Sequence, residues 1–219
     1  MGDAKAKFRA DIEKIEAALE RLGVPRKQTI LCITGKDNFR KEVLPTYKGH
    51  RKRKPPGYSQ FQEWVLEESG YTVFLRPRLE ADDCLGILGT GPTIKGPKVI
   101  WSEDKDLRQI PGTHLDMKNR QLVEVSELDG ELLHVKQTLT GDVTDGYTGL
   151  KGFGPVSVNK LIDKHAKDGL PALWAAVQEQ FEKKGMTRED MLVQARVARI
   201  LRASDYNFKN KEVILWQPK

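Results

Sequence analysis

The chain of 219 residues has few cysteines and no long apolar run. Its two cysteines, Cys32 and Cys84, are too few for the disulfide framework of a small secreted domain, and both lie in apolar segments. The longest apolar runs, such as TILCI and KVIW, are much shorter than the roughly 20 residues of a membrane-spanning helix. The charged N-terminal segment also lacks the apolar stretch of a signal peptide. These absences predict a reduced, intracellular protein, located in the cytoplasm and without a membrane partner.

Positive charge is present in excess. The chain carries 37 Lys and Arg against 31 Asp and Glu, which gives a formal net charge of +6 at pH 7. A basic balance of this size permits a polyanionic partner but does not prove one. Hydrophobic residues make up 38% of the chain, which is enough for an ordinary soluble core.

Short apolar segments alternate with helical patterns in the first part of the chain. Segments 29–34, 71–77 and 98–102 predict strands, whereas 3–22, 59–69 and 81–90 predict helices. This alternation is typical of an α/β fold with a parallel sheet. After residue 127 almost every segment reads as a helix. We therefore expect an α/β core at residues 1–126 and a helical region at residues 127–219.

Acidic residues cluster after the second and third predicted strands, and again in the segment TGDVTDG. The clustered residues are Glu80, Asp82, Asp83, Asp104, Asp106, Asp142 and Asp145. Ligands of parallel sheets bind at the carboxyl ends of the strands, so we expect these seven side chains to converge. Two like charges ~4 Å apart repel by ~4 kcal/mol at an effective dielectric constant of ~20, so a convergent cluster needs cations.

Oxygen donors without a nearby His or Cys suit Mg²⁺ or Mn²⁺. Two such ions ~3.5–4 Å apart can clamp the attacking and leaving oxygens of a phosphodiester. The alternative for each pair alone is a helix cap or a turn, because acidic residues favour both positions. The spacing of Asp142 and Asp145 would place them on one side of a helical turn. The joint occurrence after successive strands favours a two-metal site.

A basic segment, residues 35–58, follows the first predicted strand. Its cations are Lys36, Arg40, Lys41, Lys48, Arg51, Lys52, Arg53 and Lys54, and Phe39, Tyr47 and Tyr58 lie between them. Cations that follow phosphates and rings that stack on bases suit a nucleic-acid strand. The alternative is a solvated basic loop. We predict an arch above the acidic cluster, in which Lys48 and Arg40 contact the scissile phosphate and stabilise its transition-state charge.

A glycine-rich hairpin is predicted at residues 146–162. Gly149, Gly152 and Gly154 surround a tight turn, a helix begins at Pro155, and Lys151 and Lys160 add positive charge. Backbone N–H groups at such a turn can bind phosphate. The alternative is an ordinary turn between two helices.

The order and spacing of four motifs resemble those of a known family. EADD, SEDKD and TGDVTDGYTGLKGFG, preceded by NFRKEVLPTYKGHR, are similar to the structure-specific 5′ nuclease (flap endonuclease) superfamily with its PIN-like fold. The resemblance covers residues 28–218 and is closest to the 5′→3′ exonucleases of short-tailed bacteriophages. It implies a monomeric, metal-dependent enzyme that hydrolyses phosphodiester bonds of duplex DNA near a 5′ end, nick or flap, in the host cytoplasm if the chain is phage-encoded.

The same resemblance implies roles for individual residues. Those matching the first metal's ligands are Glu80, Asp82, Asp83 and Asp104, and those matching the second metal's ligands are Asp106, Asp142 and Asp145. Lys48 matches the lysine of the arch, with Tyr47 beside it, and Arg51, Lys52 and Arg53 would follow the DNA backbone. The turn at 149–154 matches a helix–hairpin–helix-type element that grips duplex DNA, where a monovalent cation such as K⁺ binds.

Two departures from the family pattern predict weak activity. The family has an additional N-terminal strand that ends in a metal-contacting Asp, whereas this chain opens with a helix. A second family Asp follows the strand matching 29–34, where this chain has Gly35, with Asp37 displaced. We expect an N-terminally shortened nuclease that cuts weakly, or a structure-specific DNA-binding protein. A PIN-type ribonuclease is a third alternative, which the long basic segment and the glycine-rich hairpin disfavour.

Overall fold

The computed structural model describes residues 2–25, 27–52 and 54–218. The first part of the chain alternates helices and short strands. Its elements are α1 (Gly2–Arg21), β1 (Ile30–Ile33), α2 (Arg40–Val43), α3 (Tyr58–Glu67), β2 (Thr72–Leu75), α4 (Ala81–Thr90), β3 (Val99–Ile100), β4 (Gly112–Asp116) and β5 (Gln121–Val125). The second part is mainly helical. Its elements are α5 (Glu127–Thr140), α6 (Pro155–His165), α7 (Leu170–Lys183), α8 (Arg188–Ala198), β6 (Tyr206–Asn207) and β7 (Glu212–Val213).

The strands of the first part form two sheets, β1–β2 and β3–β4–β5. β1 and β2 are parallel, with Cys32 opposite Phe74, and β3 and β4 are parallel, with Ile100 opposite His114. The predicted parallel pairing is therefore confirmed. Strand β4 and the antiparallel strand β5 that pairs with it were not predicted. The polar residues in and between β4 and β5 interrupt the apolar pattern, so periodicity alone could not reveal this hairpin.

Helix α4 begins directly after the acidic motif. Its capping carboxylate is that of Asp83, whose Oδ2 accepts the N–H of Glu80 at 3.1 Å. The apolar side of α4, with Cys84, Ile87 and Leu88, is buried. A Cβ atom at Gly86 would lie 2.1 Å from the carbonyl oxygen of Leu201, so only glycine allows the C-terminal segment to pack this closely on α4.

The helical region has its own core, but the chain then returns to the α/β part. Val135, Leu173, Phe181 and Met191 belong to a buried cluster of α5–α8. The end of α8 and the segment after it pack elsewhere. Val197 and Ala198, at the end of α8, contact Tyr47. After α8, Ile200 contacts Ile110, and Leu201 and Tyr206 contact Phe39 and Leu79. The predicted boundary near residue 127 stays a prediction, because the two regions share these buried contacts.

Two expectations from composition can be compared with the described residues. Cys32 and Cys84 are free thiols, and burial raises the pKa of each to about 12. Within the described ranges, no helix has the length and apolar character needed to cross a membrane.

A buried histidine lies between the helices of the second region. The His134 ring is 5.2 Å from the ring of Trp174 and 4.8 Å from that of Trp216, and its Nε2 donates to the carbonyl of Ala195 at 2.8 Å. Its Nδ1 lies 3.9 Å from Glu131 Oε2, and Arg199 binds the other oxygen of that carboxylate at 2.8 Å. Burial lowers the pKa of His134 despite the neighbouring carboxylate. The folded protein therefore holds this ring neutral.

We expect His134 to make the protein less stable in mild acid. Its folded pKa is lowered, so the unfolded chain binds a proton first, and stability falls as the pH drops below the unfolded pKa of about 6.5. Between about pH 6.5 and 5.5 this group should remove unfolding free energy, by no more than ~1.4 kcal/mol per pH unit, the limit for one proton that only the unfolded chain binds. Urea unfolding at both pH values should show that loss shrinking in His134→Gln but not in the exposed control His50→Gln. An unchanged pH dependence in His134→Gln would contradict this role.

Candidate active site

Six acidic side chains surround one open cavity of about 360 Å³. They are Glu80, Asp82, Asp104, Asp106, Asp142 and Asp145. Glu80 and Asp82 lie where β2 leads into α4, Asp104 and Asp106 follow β3, and the last pair follows α5. The structure thus brings six of the seven predicted carboxylates together. The seventh, Asp83, points away from the cavity.

Hydrogen bonds to nearby backbone groups set the local conformation of two pairs of these residues, Asp104 with Asp106 and Asp142 with Asp145. Asp104 Oδ1 accepts the N–H of Asp106 at 2.9 Å and so begins a short 3-10 helix. Asp142 Oδ1 accepts the N–H of Thr144 at 2.7 Å, and the main chains of Asp142 and Tyr147 pair with each other. Residues 142–147 therefore form a tight turn, and the predicted helical turn at Asp142 and Asp145 is wrong. Asp and Thr favour turns because their side chains bind nearby backbone N–H groups.

The cavity raises the pKa of two of its carboxyl groups. Burial, followed by repulsion from Asp104 and Glu80, raises the pKa of Asp82 to about 6. Burial, followed by repulsion from Asp104 and Asp142, raises the pKa of Asp106 to about 6. Negative charge in this cavity is therefore incompletely neutralised by the protein itself. Oxygen donors with excess negative charge are the ligands that Mg²⁺ and Mn²⁺ prefer.

Cations of the basic segment neutralise the other side of the cavity. Lys48 Nζ lies 2.6 Å from Glu80 Oε1 and 3.3 Å from Asp145 Oδ2, and Arg51 Nη2 lies 2.6 Å from Asp145 Oδ1. The hydroxyl of Tyr47 is within 3.0 Å of both carboxylates. Burial raises the pKa of Glu80, but the positive charges of Arg40 and then of Lys48 lower it by more. This pKa therefore lies below its ordinary value.

These ion pairs affect how a metal would bind. Within residues 2–25, 27–52 and 54–218, no three acidic, His or Cys side chains already converge as a ready metal site. Glu80 and Asp145 contact Lys48 instead of a common point. The donor chemistry of the cavity nevertheless fits hard divalent cations, because every candidate ligand is a carboxylate and Asp82, Asp104, Asp106 and Asp142 contact no Lys or Arg at ion-pair distance among the described residues.

Arg40 and Asp83 form a buried pair beside the cavity. Both guanidinium Nη atoms donate to the Asp83 carboxylate at 2.7 Å, and the two side chains are 3% and 0% exposed. Arg40 also donates to the carbonyl of Val197 at 3.0 Å, and Asp83 accepts the N–H of Leu201 at 3.1 Å. Arg40 is therefore enclosed and fully engaged, contrary to its predicted contact with a phosphate, and Asp83 faces Arg40 instead of the other carboxylates.

The remaining predicted DNA contacts divide between the surface and the interior. Tyr47 is 2% exposed, so its ring is not available for stacking on a base. Gly149 is buried, and its N–H donates to Gln194 Oε1 at 2.8 Å instead of facing solvent. The predicted contacts that are exposed are Arg51, Lys52, Lys151, Gly152, Gly154 and Lys160. Arg53 lies outside the described residues.

Seven residues that line the cavity were not predicted: Thr34, Gln137, Thr144, Tyr147, Val197, Ala198 and Ile200. Among the polar ones, Thr34 Oγ1 accepts the N–H of Ala81 at 3.1 Å. Gln137 Oε1 accepts a hydrogen bond from the Gln109 side chain. No motif marks Gln137, but its helical spacing from Leu133 and Thr140 places all three on one face of α5.

An α/β core that gathers carboxylates after successive parallel strands defines a resolvase-like nuclease domain. This chain belongs to the 5′-3′ exonuclease family, since the family model "5'-3' exonuclease, N-terminal resolvase-like domain" matches residues 12–137. The chain is 34% identical to the exonuclease of Escherichia phage T7 in an alignment of 220 positions that covers 86% of this chain and 73% of that protein. It is 32% identical to the exodeoxyribonuclease of Enterobacteria phage T3 in an alignment of 221 positions that covers 87% of this chain and 73% of that protein.

Solved structures show the same fold at lower sequence identity. A phage T5 5′-exonuclease with bound divalent zinc ions superimposes with a TM-score of 0.58, at 18% identity, over 87% of this chain and 84% of that one. A phage T5 flap endonuclease in a pseudo-enzyme-product complex with DNA and metal ions superimposes with a TM-score of 0.57, at 17% identity, over the same shares.

Proposed function

We propose that this protein is a metal-dependent 5′→3′ exonuclease and flap endonuclease. It hydrolyses phosphodiester bonds of duplex DNA near 5′ ends, as a monomer in the cytoplasm. The observation that carries the proposal is the cavity in which six carboxylates face a basic segment, two of them with a pKa raised to about 6. Membership of the 5′-3′ exonuclease family and the metal ions and DNA in the T5 structures support it.

Two groups of carboxylates would hold two Mg²⁺ or Mn²⁺ ions. Glu80, Asp82 and Asp104 would hold one ion, and Asp106, Asp142 and Asp145 the other. When bound, the two ions supply positive charge that activates an attacking water and stabilises the leaving oxygen. Asp83 is left out of both groups because its carboxylate is committed to Arg40.

Basic side chains would bind and orient the DNA. Lys48 lies at the cavity with its ammonium between Glu80 and Asp145, so it can exchange a carboxylate for the scissile phosphate and stabilise the charge that develops there. Tyr47 orients Glu80 and Asp145 through its hydroxyl. Arg51 and Lys52 near the cavity, and Lys151 and Lys160 at the glycine-rich hairpin, are placed to bind phosphates of the duplex. The turn at 149–154 is the proposed site of a monovalent cation such as K⁺.

Release of nucleotides from a 5′-labelled duplex tests this function. We expect Mg²⁺-dependent release that stops when the metal is chelated, and duplex affinity that falls linearly on a log–log plot against salt concentration. Release from the 3′ end, or release that is independent of a divalent ion, would contradict the proposal.

A weakly cutting, structure-specific DNA-binding protein is the second candidate. It is favoured by Gly35, which follows β1 where the family pattern has an Asp. A Cβ atom at Gly35 would lie 2.4 Å from the carbonyl oxygen of Arg76, so this backbone has no place for a carboxylate at that position. Tight, salt-dependent duplex binding without release of nucleotides would favour this candidate in the same assay.

A further inference from the structure

A second, open groove adjoins the carboxylate cavity and is not lined by Lys48 or Arg51. It has a volume of about 370 Å³ and shares Asp106, Gln137 and Asp142 with the cavity. Its floor is one face of α5, where Leu133, Lys136, Gln137 and Thr140 recur at helical spacing. Its volume lies within the range of about 300–1,000 Å³ that is typical of small-molecule sites.

Two side chains that line this groove have no evident role in stabilising the fold. Lys136 makes no hydrogen bond or ion pair with any described residue, although α5 is packed on its other faces. Val143 is 89% exposed, which is unusual for an apolar side chain next to a charged cavity. An unpaired ammonium and an exposed apolar wall suit a ligand that carries both a phosphate and an apolar ring or sugar.

We propose that this groove binds the nucleotide that adjoins the bond that is cut. The inference rests on the proposed function for the identity of the ligand. The phosphate of this nucleotide pairs with Lys136, and its sugar and base lie against Leu133 and Val143. The strand would then run from the basic segment, across the carboxylates, into the groove. Asp106 and Asp142 border the groove, so their charge repels a phosphate unless divalent cations are bound.

Binding of thymidine 5′-monophosphate, measured by calorimetry with and without Mg²⁺, tests the groove directly. We expect Lys136→Met to weaken binding about 5-fold or more, because it removes a charge-assisted contact. Val143→Ser should weaken it about 3-fold through lost apolar contact, and its exposure makes it neutral for folding. Wild-type binding should require Mg²⁺. Lys14→Met removes the same charge from α1, which lines neither cavity, and should bind like wild type.

Each outcome decides one of the two proposals. Equal affinity in wild type, Lys136→Met and Val143→Ser overturns the nucleotide groove, and so does absence of binding to wild type at millimolar nucleotide. Mn²⁺ affinity in the absence of nucleotide should be the same in all four proteins, so that a loss of nucleotide binding is not a loss of metal. If the variants lose the nucleotide as expected but wild type releases nothing from duplex DNA, the groove stands as a nucleotide-binding site, whereas the nuclease proposal and the placement next to a cut bond fail.

Discussion

Asp104→Asn should lower the rate of Mg²⁺-dependent nucleotide release by about 1,000-fold, which corresponds to about 4 kcal/mol of lost transition-state stabilisation. The carboxylate is exposed to the cavity and contacts no lysine or arginine among the described residues. After burial, its repulsion is the next cause of the raised pKa of Asp82 and Asp106. Asparagine keeps the oxygen that accepts the N–H of Asp106, so the 3-10 turn survives. Only the negative charge is removed.

The neighbouring acid Glu103 provides a matched control. It is exposed, lies one residue before Asp104, and is not part of the cavity lining. Glu103→Gln changes the net charge by the same amount and should keep wild-type release. Duplex affinity of Asp104→Asn, measured without divalent ions, should not fall, since removing an acid cannot weaken attraction for phosphate. Comparable losses of release in both variants would mean that net charge, and not the cavity, controls the rate.

Much of the fold follows from local signals in the sequence. Residues 81–90 form α4 as predicted, because a capping acid precedes an apolar helical stripe that is then buried. β1 and β2 are short and apolar enough to be recognised as strands, although their residues are half-buried and Thr72 is exposed. By contrast, β6 and β7 have two residues each, and no periodicity can be read from so few positions.

The sequence predicts which acidic residues cluster in the candidate site, but not which residues each of them contacts. Position after a strand predicts that Asp82 and Asp104 lie near each other, and this needs only the rule that ligands bind at the carboxyl ends of parallel strands. The two preceding strands, β2 and β3, belong to different sheets, but both residues line the cavity. Which acid faces the cavity depends on contacts distant in sequence. The Asp83 carboxylate is held away from the cavity by hydrogen bonds from Arg40, which is 43 residues away, and from the backbone N–H of Leu201, which is 118 residues away. Nothing within the motif EADD distinguishes it from Asp82.

The same limit applies to the basic segment. A run of cations and rings predicts an exposed nucleic-acid surface, and Lys52 fits that description. Tyr47 and Arg40 belong to the same run, but Val197 and Ala198 at the end of α8 cover them. Burial of a tyrosine and an arginine is possible here because Glu80, Asp83 and Asp145 supply their partners.

Arg40→Met should lower the free energy of unfolding by about 3–5 kcal/mol, because it leaves the fully buried Asp83 carboxylate without its cation. That is a large part of the roughly 5–15 kcal/mol that stabilises an ordinary domain. Urea unfolding at neutral pH measures the loss. Lys41→Met removes the same charge from the next position, which is exposed, and should change stability by less than about 0.5 kcal/mol.

The double variant Arg40→Met with Asp83→Leu should be more stable than Arg40→Met alone, since no buried charge is then left unpaired. Asp83→Asn, which keeps the shape of the side chain, separates structure from metal binding. If Asp83 only anchors Arg40 against the C-terminal segment, the folded Asp83→Asn protein binds Mn²⁺ about as tightly as wild type, whereas Asp82→Asn binds it about 10-fold or more weakly. A similar loss of Mn²⁺ affinity in both variants would instead mean that Asp83 is a metal ligand. Its ion pair with Arg40 would then have to break when the metal ion binds.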